Sequence, residues 1–370
     1  MIYFFISLTL LLYSFNILRY LYGWKKNSFD TKGSYFPTVS VVIAVRNEEN
    51  NILKLLSDLS LQDYPQDLFN IIIVNDHSTD GTLDLLNQGL SKYPNLILHN
   101  LTASVEGKKI AINTGVNISN HKIILSSDAD CSFSNTWISC MVSGFNDKQI
   151  KLVSGPVTFY KESSLFNKLQ TLEFLSLIGA GAGAIGIGNP IFCNGANMAY
   201  RRETYKKVFE TIDLNIASGD DVFLLHAIKR KYKSSVRFIK DVNAVVYTNA
   251  VEGFDHFINQ RKRWAAKSTS FKDAYTIYTS ILVLLVNFST IYLLFFSLFH
   301  VDVFFFFLWF FLIKNIVDIL FISNVLSFFS RKDLLKWILF FQIFYSFYIV
   351  LVSVLSQLQT FSWKKRLYKK

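Results

Sequence analysis

Acidic side chains and one cationic-aromatic motif are the residues of this sequence whose types and spacing could carry chemistry. They form four signatures in chain order: Asp76 in IIIVNDHSTDG, Asp128 and Asp130 in SSDAD, Asp220 and Asp221 in SGDDVFL, and Gln260, Arg263 and Trp264 in QRKRW. Carboxylates can hold a hard divalent cation or accept a proton, while an arginine can bind phosphate beside an aromatic surface. Because lipid-length apolar runs follow, the pattern indicates a site for an anionic, metal-bound donor at a membrane surface.

The N-terminal end of the chain is strongly apolar. Of the 370 residues 51% are hydrophobic, and residues 1–22 form a run that is long enough, as a helix, to cross a hydrocarbon layer of ~30 Å. No cation precedes this run and no small-residue cleavage site follows it, so we predict an uncleaved transmembrane anchor over residues 1–24. The first cations are Arg19, Lys25 and Lys26, and the positive-inside rule then puts the following residues in the cytoplasm.

Three further apolar runs follow in the C-terminal third, near 275–299, 301–323 and 337–360. They predict a C-terminal transmembrane region over residues 274–362, followed by a basic tail over residues 363–370. Four crossings would leave that tail outside the cytoplasm, against the positive-inside rule. Either the last run is re-entrant or interfacial, or the tail breaks the rule. In the second run Lys314 and Asp318 are four residues apart, and we expect them to pair on one helix face.

Charge and cysteine content argue against several classes of protein. Much of the net charge of +11 flanks the apolar runs and QRKRW, where lipid headgroups and phosphates account for it. No nucleic-acid-binding module pattern is present, so we expect no nucleic-acid partner. Cys131, Cys140 and Cys193 form no CxxC pair and the six histidines are scattered, which argues against a zinc site or a disulfide framework.

The region between the apolar ends alternates strands and helices. PTVSVVIAVRNEENNILKLLSDLS and FNIIIVNDHSTDGTLDLLNQGL each pass from a β-branched strand through a polar turn into a helix, and HKIILSSDAD adds a strand that ends in carboxylates. We also expect short strands near 151–159 and 235–247. This order predicts an α/β domain over residues 36–272 with a mostly parallel sheet, which binds ligands beyond the carboxyl ends of its strands. The first two acidic signatures lie at that edge.

Six segments together resemble a known family. VSVVIAVRNEE, IVNDHSTDG, SSDAD, CNGANMAYRRE, GDD and QRKRW occur in this order beside apolar runs. Roughly residues 38–270 are similar to membrane-bound family 2 glycosyltransferases of the cellulose synthase, hyaluronan synthase and ceramide glucosyltransferase type. The resemblance implies a GT-A-like nucleotide-sugar-binding domain and a donor that is a nucleotide sugar, with uridine as the expected nucleoside.

The chemistry of such a transfer explains the paired carboxylates. A departing nucleoside diphosphate gains negative charge, which a divalent ion and fixed cations stabilise. Asp128 and Asp130 are one residue apart at a strand end and can jointly hold Mg²⁺ or Mn²⁺ through oxygen ligands. In the family this DxD also touches the nucleotide ribose, which gives Asp128 a donor-binding role. The alternative is that the two aspartates only cap a loop.

Asp221 resembles the catalytic base of the family. That base takes the proton of the acceptor hydroxyl as the hydroxyl oxygen attacks the anomeric carbon from the face opposite the leaving group, which inverts the configuration. Asp220 belongs to the same catalytic group and replaces the glutamate of cellulose synthases, as in hyaluronan-type enzymes. The alternative is that Ser218 or Asp220 merely caps the helix VFLLHAIKR, and the two roles can coexist.

The QRKRW motif is expected on a helix, where Gln260 and Trp264 share one face and Arg263 is adjacent. The resemblance implies that Trp264 offers a flat surface to the acceptor and that Arg263 donates to the diphosphate. The alternative is a basic, aromatic interface helix that reaches lipid headgroups through Arg261, Lys262 and Lys267.

Further contacts follow from the resemblance. The expected donor-binding residues are Ala44, Arg46, Glu48, Asp76, Lys108 and Asp128. Asp76 would accept from the uracil imide, and Lys108 in EGKKIAIN would face uracil or phosphate. Gly195 and Asn197 in CNGAN would shape the acceptor side together with Trp264, although a simple turn before a strand explains the first two nearly as well.

A glycine motif in the middle of the chain has no dinucleotide context. Gly181, Gly183 and Gly186 satisfy GxGxxG, but no strand precedes them and no acidic residue follows at the required distance, so a Rossmann site is rejected. With LFNKLQTLEFLSLI before it, the segment is expected to be an amphipathic helix followed by a small-residue loop near the membrane.

The sequence therefore predicts an integral, multi-pass enzyme of a bacterial-type cell membrane with a cytoplasmic catalytic domain. We expect an inverting, metal-dependent glycosyltransferase whose acceptor is a lipid or a growing glycan. Membrane lipids are further expected partners, and association with copies of itself or with other membrane proteins is left open. One alternative is a processive polysaccharide synthase subunit, and another is a catalytically inactive scaffold that binds nucleotide sugar. A scaffold would be expected to lack Asp130, Asp221 or Trp264, and all three are present.

Overall fold

The computed structural model describes residues 1–27, 36–162, 164–212, 219–358, 361–363 and 366–368. Its strands are β1 Val39–Val45, β2 Phe69–Asn75, β3 Leu96–Asn100, β4 Ile123–Ser126, β5 Leu152–Ser154, β6 Val157–Phe159, β7 Met198–Arg201, β8 Val236–Phe238, β9 Val246–Thr248, β10 Phe361–Trp363 and β11 Arg366–Tyr368. Its α-helices are α1 Ile2–Lys26, α2 Ile52–Ser60, α3 Thr82–Lys92, α4 Lys108–Ile118, α5 Trp137–Ser143, α6 Leu165–Gly186, α7 Arg202–Phe209, α8 Asp220–Lys231, α9 Phe254–Ala266, α10 Ala274–Phe296, α11 Val301–Phe328 and α12 Ile338–Leu358. Ser218 and residues 364, 365, 369 and 370 of the predicted basic tail lie outside the described residues.

A seven-stranded sheet, ordered β3-β2-β1-β4-β7-β5-β8, organises the region between the apolar ends. β1 pairs in parallel with β2 and β4, β2 with β3, and β5 with β8, whereas β7 runs antiparallel to both of its neighbours. A separate parallel pair joins β6 and β9. The prediction of a mostly parallel α/β sheet is confirmed, and the short strands expected near 151–159 and 235–247 are present.

Both faces of the sheet are buried, as the continuous apolar runs of its central strands predict. Val41 and Ile43 of β1 pack into a core that includes Leu56 of α2. Val42, which points the opposite way, packs into a second core that includes Val116 of α4. Helices therefore cover the sheet on both sides, and only its edges remain for ligands.

Five helical segments in the described part of the chain are long and apolar enough to cross a membrane: α1, α6, α10, α11 and the segment Lys332–Gln357, which includes α12. Four of them coincide with the predicted apolar runs. Large apolar side chains on these helices are exposed, among them Phe5, Leu11, Phe288, Phe305 and Phe344. Exposed apolar surface on this scale is typical of a lipid or protein interface. The predicted domain boundaries and the number of crossings stay predictions.

The segment GAGAGAIG is helical, so the prediction of a small-residue loop there is wrong. It forms the C-terminal part of α6, which continues without a break to Gly186. The physical reason is close helix packing, because a Cβ at Gly183 would lie 2.5 Å from the carbonyl oxygen of Tyr20 in α1. The preceding part of α6 is not amphipathic either, because α6 is buried on most of its circumference rather than on one stripe. The glycines serve the contact between α1 and α6.

Candidate active site

The sheet register aligns the ends of β1 and β2, where two of the predicted donor-binding residues lie. Val45 pairs with Asn75, so Arg46 and Asp76 follow the two strands side by side. The Asp76 residue is 2% exposed, its Oδ2 accepts from the Gly107 N–H at 3.1 Å, and Arg46 donates to the Asp76 carbonyl at 2.8 Å. Asp76 therefore fixes the turn that leads into α4 and Lys108.

A lysine and two carboxylates form the centre of this edge. Lys108 makes an ion pair with Asp128, and Asp130 Oδ2 accepts from the Thr248 hydroxyl at 3.2 Å. Burial, and then the charges of Asp128 and Glu48, raise the pKa of the Asp130 carboxyl above its ordinary value. A cation between the carboxylates would relieve this repulsion, so the oxygen ligands fit a hard divalent ion such as Mg²⁺ or Mn²⁺. Among the described residues no group of three or more His, Cys, Asp or Glu is arranged around a metal position.

The second acidic pair lies at the start of α8. Gly219, with φ of 84°, is the N-cap, and Asp220 and Asp221 are the first two helical residues. Asp220 is therefore not the N-cap residue, and Ser218, the other residue that the alternative interpretation named, lies outside the described residues. Asp221 Oδ1 accepts from the Val222 N–H at 2.7 Å and its Oδ2 accepts from the Gly195 N–H at 3.1 Å. These bonds fix the carboxylate of Asp221 against the CNGAN loop.

Electrostatics separate the two aspartates of this pair. Burial alone would raise the pKa of Asp221, but Lys267, the Val222 N–H and Lys108 lower it below its ordinary value. For Asp220, burial has the largest effect and raises the pKa. Lys108 lowers this pKa, but the charge of Asp221 raises it again. Asp221 is thus the carboxylate that stays ionised and can accept a proton.

Lys108 connects the two acidic pairs. Burial would lower the pKa of its ammonium group, but the charges of Asp128, Asp220 and Asp221 raise it above the ordinary value. One cation therefore lies within electrostatic range of both the DxD carboxylates and the α8 carboxylates, and it remains charged throughout the physiological pH range.

QRKRW lies on α9, as predicted, and Gln260, Arg263 and Trp264 all reach the same cavity as the acidic pairs. The alternative role of this helix, lipid contact, is wrong for Arg261, which is 3% exposed and ion-paired with Glu173. Lys267 does not reach toward lipid headgroups either. Its side chain is 15% exposed, and its Nζ lies 3.6 Å from Asp221 Oδ1.

One cavity of about 870 Å³ gathers nearly all the residues that the sequence singled out. Its lining includes Ala44, Arg46, Glu48, Asp76, Lys108, Asp128, Asp130, Gly195, Asp220, Asp221, Gln260, Arg263 and Trp264. This volume is in the upper part of the range of roughly 300–1,000 Å³ for small-molecule sites. Residues from the sheet edge, the start of α8 and α9 are thus brought together across more than two hundred positions of sequence.

Asn197 is the exception, and its predicted contact with the acceptor is wrong. It is fully buried, its Nδ2 donates to the carbonyls of Pro156 at 2.8 Å and Ala244 at 2.7 Å, and its Oδ1 accepts from Trp137 Nε1 at 3.0 Å. With every polar atom used inside the protein, this side chain joins the loop before β7 to the neighbouring loops.

The cavity continues from the sheet edge into the apolar helices. Its apolar lining there includes Ile17, Leu177, Val283, Phe321, Ile322, Phe341, Ile349 and Val352, from α1, α6, α10, α11 and α12. Asp318 also lines it and accepts from the Tyr13 hydroxyl at 2.7 Å, from Gln342 Nε2 at 2.7 Å and from Lys314 Nζ at 2.9 Å. The predicted pair of Lys314 and Asp318 is confirmed as part of this network.

Two contributors to the site carried no usable sequence signal. Glu173 lies 88 residues before its partner Arg261, so no spacing rule links them. Lys267 follows QRKRW by only three residues, and only the alternative interpretation of lipid contact names it, because sequence alone does not give the direction of a side chain on a short helical turn.

Comparison with known proteins gives three findings. The model of Glycosyl transferase family 2 matches residues 40–209. The chain is 35% identical over 126 residues to the glycosyltransferase AglE of Haloferax volcanii, covering 34% of this chain and 41% of that protein. It is 28% identical over 142 residues to a poly-beta-1,6-N-acetyl-D-glucosamine synthase of Staphylococcus epidermidis, covering 38% of this chain and 34% of that one. The matches thus span less than half the length of either relative.

Among solved structures, the chain resembles the mannosyltransferase PcManGT from Pyrobaculum calidifontis in complex with GDP-Man and Mn²⁺. The TM-score is 0.60, the sequence identity is 17%, and the match covers 94% of both chains. At this identity the likeness shows a common fold, which includes the apolar helices as well as the sheet.

Proposed function

We propose that this chain transfers a sugar from a nucleotide donor to a lipid or lipid-linked acceptor at a membrane, since the model of Glycosyl transferase family 2 matches residues 40–209. The observation that carries the proposal is the single cavity of about 870 Å³, which joins the two acidic pairs and Trp264 to an apolar space between candidate membrane helices. This cavity would let the site of a soluble donor open directly onto the site of an apolar acceptor.

The donor side lies at the sheet edge. Arg46 and Asp76 would hold the nucleoside, and Lys108 would meet the diphosphate from its position beside Asp128. The oxygens of Asp128 and Asp130 would hold a divalent ion, which when bound would neutralise charge on the diphosphate. The solved relative with this fold contains GDP-Man and Mn²⁺, which supports a metal-dependent donor site without deciding between uridine and guanosine.

The acceptor side lies at the start of α8. The carboxylate of Asp221 would take the proton from the acceptor hydroxyl while that oxygen forms its bond to the anomeric carbon. The bond between the anomeric carbon and the phosphate oxygen breaks at the same time, and its electron pair leaves with the nucleoside diphosphate. Lys108 and Arg263 would stabilise the charge that develops on that group. Attack opposite the leaving group inverts the configuration of the sugar.

A lipid-linked acceptor accounts for the apolar continuation of the cavity. A polyisoprenoid or acyl chain between the helices would present its polar end to Trp264 and Asp221. The basic end of α1 supports a cytoplasmic site, since Lys240 donates to the Trp24 carbonyl at 3.0 Å and Trp24 packs on Phe238 of β8. By the positive-inside rule that end of α1, and with it the sheet, would lie on the cytoplasmic side.

The test is transfer of labelled sugar by the chain in membranes. Purified protein in lipid vesicles would receive radiolabelled UDP-sugars and GDP-mannose, one at a time, together with a lipid extract and Mg²⁺ or Mn²⁺. We expect one donor to label a product that partitions into organic solvent. Label in a precipitable, solvent-insoluble product would instead support the alternative of a processive polysaccharide synthase. Binding of a donor without any transfer would favour the inactive scaffold and contradict the proposal.

A further inference from the structure

An ion pair between Glu173 of α6 and Arg261 of α9 is buried beside the candidate acceptor site. Each residue is 3% exposed. Arg261 Nε lies 2.9 Å from Glu173 Oε2 and 3.1 Å from Oε1, and Arg261 Nη2 also bonds to Oε2. The carboxylate thus accepts charge-assisted hydrogen bonds from one edge of the guanidinium, which hold both side chains in place.

Arg261 also contacts two residues of the QRKRW motif. Its Nη1 donates to Gln260 Oε1, and its Cζ lies 4.3 Å from the centroid of the Trp264 ring. Because a cation over an aromatic face is attracted to it, the guanidinium covers one face of the indole. Both Gln260 and Trp264 line the cavity. Their positions therefore depend on the position of Arg261.

The ion pair is also held by residues of helices other than α9. The Tyr348 hydroxyl of α12 donates to Glu173 Oε1 at 2.8 Å. Phe174, next to Glu173 in α6, lies 6.2 Å from Trp264 between ring centroids and stacks on Phe159 of β6 at 4.5 Å. Two candidate membrane helices, α6 and α12, thus meet the QRKRW helix at one charged contact, and Phe174 links α6 to β6 beside it.

A buried ion pair contributes little to stability compared with an apolar contact of the same size, because both charges lose their hydration. In some proteins such a pair instead fixes one specific geometry. Here the fixed groups are the amide and the ring that face the proposed acceptor, rather than groups in the interior of a core.

We propose that Glu173 is a positioning residue, which acts through Arg261 to hold Gln260 and Trp264 at the acceptor side of the cavity. The role rests on the proposed function, since it concerns the acceptor of that reaction. Glu173 needs no contact with the donor, so loss of its charge is expected to affect acceptor use and to leave donor affinity unchanged.

The test compares Glu173→Gln, Arg261→Met and the double variant in the transfer assay. Each single change leaves one buried charge without its partner and is expected to lower the melting temperature, whereas the double change removes both charges and is expected to restore much of it. Transfer is expected to fall by roughly 10²-fold in all three, with a raised acceptor KM, because small misplacements of binding groups cost that much. Donor affinity, measured by binding of the nucleoside diphosphate, is expected to stay at the wild-type value.

A matched control comes from another buried ion pair. Arg331 Nη2 lies 3.0 Å from Glu162 Oε2, their side chains are 9% and 6% exposed, and neither residue lines the cavity. Glu162→Gln is expected to lower the melting temperature without a change in acceptor KM. If the single variants do not fold, Tyr348→Phe removes only the hydroxyl bond to Glu173 and is expected to raise acceptor KM by a smaller factor.

Two results would overturn the role. A double variant that regains both stability and transfer would mean that the ion pair only supports the fold, and a Tyr348→Phe or Glu173→Gln protein with wild-type acceptor KM would contradict positioning. These results differ from failure of the proposed function, in which the wild-type protein itself transfers no sugar.

Discussion

Lys267 Nζ lies 3.6 Å from Asp221 Oδ1, and the two side chains are 15% and 18% exposed. The contact joins the turn after α9 to the first turn of α8. Burial alone would raise the pKa of Asp221, and the Lys267 ammonium is the largest of the influences that lower it. The cation thereby keeps the candidate base in its proton-accepting form at neutral pH.

Removing this cation is expected to change the pH dependence of transfer. A base works as its carboxylate, so the rate falls as pH drops through its pKa. In Lys267→Met, burial is no longer opposed by Lys267, the pKa of Asp221 rises, and the acidic limb of kcat/KM against pH moves to higher pH. Lys272→Met, at an exposed position outside the cavity, is the control. An acidic limb at the same pH in both variants would contradict this role for Lys267.

The DxD carboxylates are expected to hold the divalent ion. Asp130→Asn replaces a charged oxygen ligand with a neutral amide, so the concentration of Mn²⁺ needed for half-maximal transfer is expected to rise at least about ten-fold, since even outer partners of a metal site have effects of that size. Calorimetric titration with Mn²⁺ and nucleoside diphosphate measures the same change without turnover. Wild-type transfer that persists at full rate in excess EDTA would contradict a metal requirement.

The contact between α1 and α6 is expected to tolerate no side chain at Gly183. A Cβ there would lie 2.5 Å from the Tyr20 carbonyl oxygen, so Gly183→Val must separate the two helices. Overpacking of this kind costs about 1–3 kcal/mol, and the melting temperature in detergent should fall accordingly. Leu12→Val on α1, where the native residue is 39% exposed, is the comparison. Equal melting temperatures for both variants would contradict the close crossing.

The sheet edge could be predicted from sequence because its geometry is local. Each parallel strand ends in a polar turn, and the carboxyl ends of such strands share one edge, so Asp76 and Asp128 were expected at the same edge, where the structure places β1 between their strands. The spacing of four residues between Gln260 and Trp264 was enough to predict that they share one face of a helix. These inferences need only the period of one element and the topology of adjacent ones.

The rest of the site depends on contacts between distant segments. Nothing in CNGAN distinguishes Asn197, whose amide is used up by buried carbonyls, from Gly195, which meets Asp221. The glycines of α6 favour a loop by intrinsic propensity, and only the neighbouring α1 makes a helix there favourable. Arg261 has the same local sequence signal as Lys262, although its environment is a buried carboxylate.

The most direct test of the account is the Asp221→Asn protein. An amide cannot accept the acceptor proton, so transfer is expected to fall by about 10²–10⁴-fold while calorimetry gives an unchanged affinity for the nucleoside diphosphate. Asp84→Asn, an exposed change in the first turn of α3, is expected to leave both unchanged. Wild-type turnover in Asp221→Asn would contradict the assignment of the base, and with it the proposed chemistry of the cavity.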